Sequence, residues 1–336
     1  MSSQLANEDE IAKTWTEKPD IIRAFIEIRP QYEQLCDEVA YILKKRMNDS
    51  DVEYSAITSR AKTLKSFAEK LSRKQYDDPI KDVTDLAGVR LIYLYKNDRS
   101  KIEKVIESEF EVFEKIDKVE EQEEDRFGYG ALHYLIHLGR KSSGARYDDL
   151  KGLICEIQVR TVLQDAWAII DHHLIYKQES DVPKFLKRKI NSLSGLFETA
   201  DDQFERIRVE REEYKKSVQS KLSNKENFLN QEINLDTFIE YLKWRFPEKQ
   251  LAQNVDHLSG TLAAATSFGY TSLSDLDKLL VRTEAARNAI NAKNPAISAA
   301  GEVSRAIGLA QPSFRELRNW NDAMKAAFNE YEHLLT

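Results

Sequence analysis

The run Leu153-Ile154-Cys155-Glu156-Ile157-Gln158-Val159-Arg160-Thr161 constrains this 336-residue chain more than any other segment. Side chains on a β-strand alternate between faces with a period of two, so Leu153, Cys155, Ile157 and Val159 point one way and Glu156, Gln158 and Arg160 the other. One face then belongs to a core. The other lines up a carboxylate, an amide and a guanidinium, a mixture that a merely solvated face does not need. An edge strand with a polar outer face is the competing account.

Three further segments carry side chains suited to the same place. Val52 to Lys62 reads as a strand, with Arg60 and Lys62 sharing a face at its end. Leu64, Phe67, Ala68 and Leu71 then recur at helical spacing, while Ser66 and Lys70 form a separate polar stripe. A basic strand-to-helix corner results, and the helix N-terminus adds partial positive charge; a solvated Lys/Arg face is the plain alternative. Asp85-Leu86-Ala87-Gly88-Val89-Arg90 leads into the β-forming Leu91 to Tyr95, which puts Asp85 where a metal could be held at a sheet end, or where a turn or cap uses an aspartate. In Phe127-Gly128-Tyr129-Gly130-Ala131-Leu132-His133 two glycines flank Tyr129 and present its ring from a loop, where it can stack on a base. His133 faces the same side as Leu135, either as a chemical group or as a packed, hydrogen-bonded histidine.

Taken together, Arg60-x-Lys62, Ser66, Lys70, Asp85-Leu-Ala-Gly-Val-Arg90, Gly128-Tyr129-x-x-Leu132-His133 and Glu156-Ile-Gln158-Val-Arg160-Thr161 resemble the synthetase domain of the RelA/SpoT alarmone synthetases. Order and internal spacing match through separate blocks, which is more specific than one short motif. Asp165-Ala166-Trp167-Ala168 and Asp171 to Lys177 resemble the helix that follows the catalytic strand in that family. The resemblance implies an α+β fold over residues 51–215, a nucleotidyltransferase-like mixed β-sheet flanked by helices. It also implies transfer of the pyrophosphate of ATP to the 3′-hydroxyl of GTP or GDP, giving (p)ppGpp.

That chemistry accounts for the residue types. A polyanionic donor needs cations and a divalent metal bridging phosphate oxygens. Asp85 and Glu156 are the implied catalytic pair and the ligands of Mg²⁺, which is usually held by one or two carboxylates plus substrate phosphates. Arg60, Lys62, Ser66, Lys70 and Arg90 are expected at ATP; Tyr129, His133, Gln158 and Arg160 at the acceptor, with Glu156 also taking the hydroxyl proton. The chain departs from the family's Lys-x-Asn-Gly-Tyr run: Asp125 and Arg126 stand there, and Gly130 follows the tyrosine where a cation is common, leaving Arg126 or Arg140 as replacements. There is no His-Asp dipeptide of the kind the family's hydrolase domain uses, so synthesis without degradation is expected. Two other readings stay open: pyrophosphorylation of the 3′ end of tRNA, as in some small members of the family, and a non-catalytic nucleotide-binding module.

Whole-chain features set limits. The length suits two domains. Two cysteines, Cys36 and Cys155, far apart in sequence, argue for a reducing compartment and against a disulfide or zinc framework. The first segment, with Glu8, Asp9 and Glu10, does not read as a signal peptide, and no apolar run approaches the ~20 residues of a membrane span; a cytoplasmic protein without membrane contact is expected, with a homo-oligomer open. With a net charge of −7, nucleic-acid binding by bulk charge is not expected, while local basic surface stays open. The acidic stretch Asp117 to Asp125 reads as a solvated loop, or a lid over the acceptor site.

Residues 1–50 read as an N-terminal helical segment and residues 216–336 as an α-helical C-terminal domain. Phe185 to Arg211 carries a helix face, and the charged run Val209 to Lys225 reads as a boundary or an exposed helix. Further helices are expected from Leu235, before Gly269, from a start capped by Ser272 or Ser274, and finally after Pro312.

Overall fold

The alternation of residues 153–161 becomes strand β5 (Cys155–Thr161), in which Cys155, Ile157, Val159 and Thr161 are buried and Glu156, Gln158 and Arg160 are half-buried on the other face. Strand β2 (Ala87–Tyr93) repeats the pattern, burying Ala87, Val89, Leu91 and Tyr93. The two pair in parallel, with Gly88 opposite Glu156 and Arg90 opposite Gln158. Around them β1 (Tyr54–Ala61), β3 (Phe110–Asp117) and β4 (Leu132–Leu138) complete a five-stranded sheet in the order β1-β2-β5-β4-β3, its other pairings antiparallel. The structure is a computed structural model that describes residues 15–117, 130–174, 184–296, 298–318 and 320–335.

The apolar face of the sheet is covered by α1 (Pro19–Asn48), whose buried positions Ile22, Phe25, Tyr32, Cys36, Val39 and Leu43 follow at steps of three, four or seven residues, one face of a helix. Within residues 1–50, read as a helical segment, α1 shares one core with Val89, Leu91, Ile157 and Val159. Each such aliphatic side chain stabilises the fold by about 1.5–3 kcal/mol on burial. The Phe25 ring also stacks on Phe67 of α2 (Leu64–Arg73) at 4.2 Å, tying the basic corner to the core. After the short α3 (Pro79–Asp82) and after β2 comes α4 (Arg99–Glu109). Helix α5 (Val162–Leu174) starts directly from β5: the Thr161 hydroxyl accepts from the Gln164 backbone N–H at 3.0 Å and the Gln164 side chain accepts from the Thr161 N–H at 2.8 Å. This reciprocal cap fixes how the first turn, with Asp165, leaves the strand.

Helix α6 (Lys184–Lys221) is longer than the apolar face alone suggested, and the charged stretch from Val209 is its exposed continuation. Two compact units divide between Ile207 and Arg208, inside this helix. The second unit is helical: α7 (Lys225–Leu229), α8 (Leu235–Arg245), α9 (Val255–Ser267), α10 (Leu273–Arg282), α11 (Glu284–Lys293), α12 (Ala299–Ala310), α13 (Pro312–Leu317) and α14 (Asp322–Tyr331). Ser272, not Ser274, caps α10, in a capping box with Asp275. The helix after Pro312 is short, and the last helix starts instead from an Asn321 cap. Cys36 and Cys155 are both free and buried. Among the described residues no helix is long and apolar enough to cross a membrane.

Candidate active site

Sheet register assembles the site. Arg60 of β1 pairs with Gly88 of β2, which pairs with Glu156 of β5; one step along, Thr58, Arg90, Gln158 and His133 form the next row. Because Gly88 has no side chain, the floor between Arg60 and Glu156 stays open. A Cβ built there would meet only the Arg60 carbonyl oxygen, at 3.8 Å. The result is a cavity of about 250 Å³ lined by Arg60, Asp85, Gly88, Arg90, Glu156 and Gln158. A neighbouring cavity of about 460 Å³ shares Arg60 and Asp85 with it and adds Lys62, Ser66 and Lys70.

The basic corner forms where β1 gives way to α2. The Lys62 N–H still pairs with the Leu86 carbonyl at 2.8 Å, and Thr63 caps α2 by accepting from the Ser66 N–H at 3.2 Å. These local bonds aim the lysines at one carboxylate. Lys62 Nζ lies 2.7 Å from Asp85 Oδ2 and Lys70 Nζ 2.8 Å from Asp85 Oδ1. Burial pushes the Asp85 carboxyl up, but the two ammonium groups outweigh it and hold its pKa below the usual carboxylate range.

Glu156 is held from the other side. Its Oε1 lies 2.7 Å from His133 Nδ1, and its Oε2 accepts from Gln158 Nε2 at 2.8 Å. Burial raises its pKa, the His133 and Gln158 contacts lower it, and the negative charge of Asp85 raises it; the net direction is down. A relay continues along β5, Arg160 Nη2 donating to Gln158 Oε1 at 2.9 Å. Burial and the charge of Arg90 depress the Arg160 pKa, with Asp165 and Glu156 opposing.

Most of the expected residues therefore meet in two adjoining cavities, but two placements differ from expectation. Arg90 sits not with Lys62 and Lys70 but beside Asp165, whose Oδ1 is 3.0 Å from Arg90 Nη1 and 3.6 Å from Arg160 Nη1. His133 was expected on acceptor phosphates; its side chain is only 7% exposed and engaged with Glu156. Arg140 is exposed in the turn beyond β4, at the opposite end of that strand from Gly130. Tyr129, Asp125, Arg126 and the acidic stretch from residue 118 lie outside the described residues.

Sequence reasoning missed four residues. Asp165 joins the two arginines, and Arg73, Lys74 and Tyr76 line the basic cavity, Lys74 lying over the Tyr76 ring at 5.3 Å. The signal for Arg73 and Lys74 was available, since they continue the Ser66/Lys70 stripe by three and four residues. Asp165 carried none beyond its place in the Asp165-Ala166-Trp167 run.

Among the described residues no three His, Cys, Asp or Glu side chains converge on one point. Asp85 and Glu156 are nonetheless two carboxylates on the wall of one cavity, near enough for the charge of one to raise the pKa of the other. That donor set fits a Mg²⁺ ion completing its shell with water and phosphate oxygens, and does not suit zinc.

Residues 59–181 match the family model described as a region found in RelA / SpoT proteins. GTP pyrophosphokinase YwaC of Bacillus subtilis (strain 168) is 30% identical over 158 residues, covering 45% of this chain and 72% of that relative. The chain belongs to the RelA/SpoT family. A second RelA/SpoT relative, GTP pyrophosphokinase YjbM of the same organism, is 26% identical over 190 residues, 54% of this chain and 87% of the relative. Among solved structures, small alarmone synthetase 1 from Bacillus subtilis bound to its product pppGpp is similar at 24% identity and a TM-score of 0.48, covering 56% of this chain and 98% of that one. The RelA/SpoT match contains both carboxylates and both cavities' cationic residues; the helical unit lies beyond it.

Proposed function

We propose that this chain transfers the β,γ-pyrophosphate of ATP to the 3′-hydroxyl of GTP or GDP. The observation that carries this reading is the pair of ionised carboxylates, Asp85 and Glu156, on one cavity whose neighbour is walled by Arg60, Lys62, Ser66 and Lys70. The cationic cavity is the place for the donor triphosphate, and Lys62 and Lys70 exchange part of their hold on Asp85 for phosphate oxygens. The acceptor 3′-oxygen attacks the β-phosphorus, the bond from that phosphorus to the α-bridging oxygen breaks, and AMP leaves. Glu156 receives the hydroxyl proton, and His133 and Gln158 hold it for that role.

Arg90 lines the open cavity, and Asp165 fixes its spacing from Arg160, which suits the pair of cations to acceptor phosphates or ribose. Tyr129 stacks on the acceptor base. Asp85 and Glu156 would hold Mg²⁺, which would supply neutralisation of the charge on the transferring phosphates. One observation favours a second acceptor: Asp125 and Gly130 stand where the family commonly has cations, so the guanosine side is under-charged and a tRNA 3′ end is the alternative.

The test is incubation of the purified full chain with γ-labelled ATP, Mg²⁺ and either guanosine nucleotides or bulk tRNA. Label on GTP or GDP is expected. Label on tRNA alone moves the assignment to the alternative acceptor, and label on neither overturns the transferase reading.

A further inference from the structure

We infer that the helical unit carries a separate binding site for a small amphipathic molecule, one carboxylate or phosphate group on an apolar body, in a cavity bounded by α9, α13 and Arg318. The cavity has a volume of about 410 Å³, within the range of about 300–1,000 Å³ usual for small-molecule sites. Its walls are chiefly apolar, with Phe268 and Phe314 inside and Leu317, 79% exposed, at the rim. Nothing in this proposal rests on the transfer reaction.

Arg318 carries the case for an anion. Its guanidinium is stacked 4.8 Å from the Trp320 ring centroid and 5.9 Å from that of Phe314, so it is fixed in place. It donates to the Ser304 hydroxyl and, through Nη2, to His257 Nε2 at 3.1 Å. No carboxylate lies within ion-pair distance of it among the described residues, in contrast to Arg287 of the same unit, which meets Glu302 at 2.8 Å. Burial lowers the Arg318 pKa with no acidic neighbour opposing it. A half-buried cation without a counter-charge is a costly arrangement that an anionic ligand relieves.

The contact with His257 holds the guanidinium further. A guanidinium has no acceptor atoms, so His257 Nε2 must accept and the neutral ring carries its proton on Nδ1. Burial and then the charge of Arg318 keep His257 below its ordinary pKa, hence neutral. That Nδ1 is buried without a partner among the described residues, as is the indole nitrogen of Trp320 beneath Arg318. Both of these N–H groups are shielded from the cavity, so it is the fixed Arg318 cation on its wall that selects an oxyanion. Asp256 on the cavity wall and the chain's net charge of −7 set the limit at one anionic group, since each further charge meets repulsion.

The experiment is titration of the full chain, followed by saturation-transfer NMR, with phenylacetate and phenyl phosphate as probes and phenylacetamide as the uncharged control. Binding near about 1–10 mM is expected for ligands of this size, with the tighter probe naming the preferred oxyanion. Arg318→Gln should weaken it by about 10- to 100-fold, and Asp256→Asn should tighten it. Should circular dichroism show that Arg318→Gln fails to fold, Leu317→Asp at the exposed rim decides, and weaker binding of both anions is expected there. Absence of binding by both anions, equal binding of phenylacetamide, or unchanged affinity in the folded variants overturns the proposal.

Discussion

In the helical unit Glu302 is only 2% exposed and its oxygens meet Arg287 Nη1 at 2.8 Å, Asn291 Nδ2 at 2.8 Å and Lys249 Nζ at 3.3 Å. In the turn just before β2, Asp85 also meets two cations, yet it keeps 32% of its side-chain surface and looks into a cavity. Both carboxylates are paired; they differ in what lies beyond the pair. Around Glu302 every direction is filled by helices α11 and α12 and the Lys249 side chain, so the network specifies packing. Around Asp85 and Glu156 one direction is open, because Gly88 contributes no side chain to the floor. Buried charge becomes chemistry where the fold leaves it one unfilled side.

The largest expected effect separates these two kinds of carboxylate. Glu156→Gln preserves shape and keeps an acceptor for His133 while setting its amide nitrogen against Gln158 Nε2, so the thermal midpoint should fall only modestly while transfer of labelled pyrophosphate falls by about 10²- to 10⁴-fold. Near wild-type turnover would class Glu156 with Glu302 as a packing group. Conversely, Glu302→Gln leaves Arg287 buried without its counter-charge, and urea unfolding should show the helical unit weaker by about 3–5 kcal/mol. A loss under about 0.5 kcal/mol, the scale of surface substitutions, would mean that the buried network is dispensable.

The chemistry-bearing strand was legible from residues 153–161 because period-two alternation is a local property of the backbone, and β2 and β5 obey it residue by residue. The Ser66/Lys70 stripe and the Ser272 cap were legible for the same reason. What escaped depends on register and docking. Nothing local announces that His133 on β4 reaches Glu156 on β5, or that Asp165 on α5 reaches Arg90 on β2. The charged run from Val209, read as a boundary or an exposed helix, could not be narrowed locally for another reason: Glu, Lys and Arg are good helix formers, so α6 continues through a stretch that resembles a linker. At the opposite extreme, the apolar run from Leu276 to Ala286 reads as one helix, but buried Thr283 separates α10 from α11, its hydroxyl donating to the Leu279 carbonyl and accepting from Arg287.

A smaller effect sharpens the role of the cations. Lys70 is 34% exposed and Lys62 13%, so Lys70 has more freedom to leave Asp85 for a ligand. Lys70→Ala should weaken ATP binding by about 1–3 kcal/mol, the scale of a charge-assisted hydrogen bond. Acceptor binding should barely change when both are measured by calorimetry. Unaltered ATP affinity with lowered stability would make Lys70 a structural partner of Asp85, as Lys249 is of Glu302; equal losses for donor and acceptor would put the basic corner on the wrong side of the site.

The smallest expected effect is in the pH dependence of stability. Asp85 has a folded pKa held below its unfolded value, despite burial, by Lys62 and Lys70. A depressed carboxylate pKa contributes stability that is fully present above the unfolded value, about 3.9 for aspartate, and is lost as pH falls through the lower folded value. Asp85 is about a third exposed, so solvent screening keeps its share modest. Other carboxylates titrate over the same window, which makes the difference between two proteins the informative quantity. Urea midpoints of the wild type and of Asp85→Asn, measured from about pH 6 down to about pH 3, should converge as the pH drops below the ordinary aspartate value. The wild type should lose the additional stability that its ion pairs supply, while the variant, already without the charge, loses less. Curves that stay parallel to the lowest pH would show that Lys62 and Lys70 do not hold Asp85 in solution, and would leave both lysines free for a phosphate from the outset.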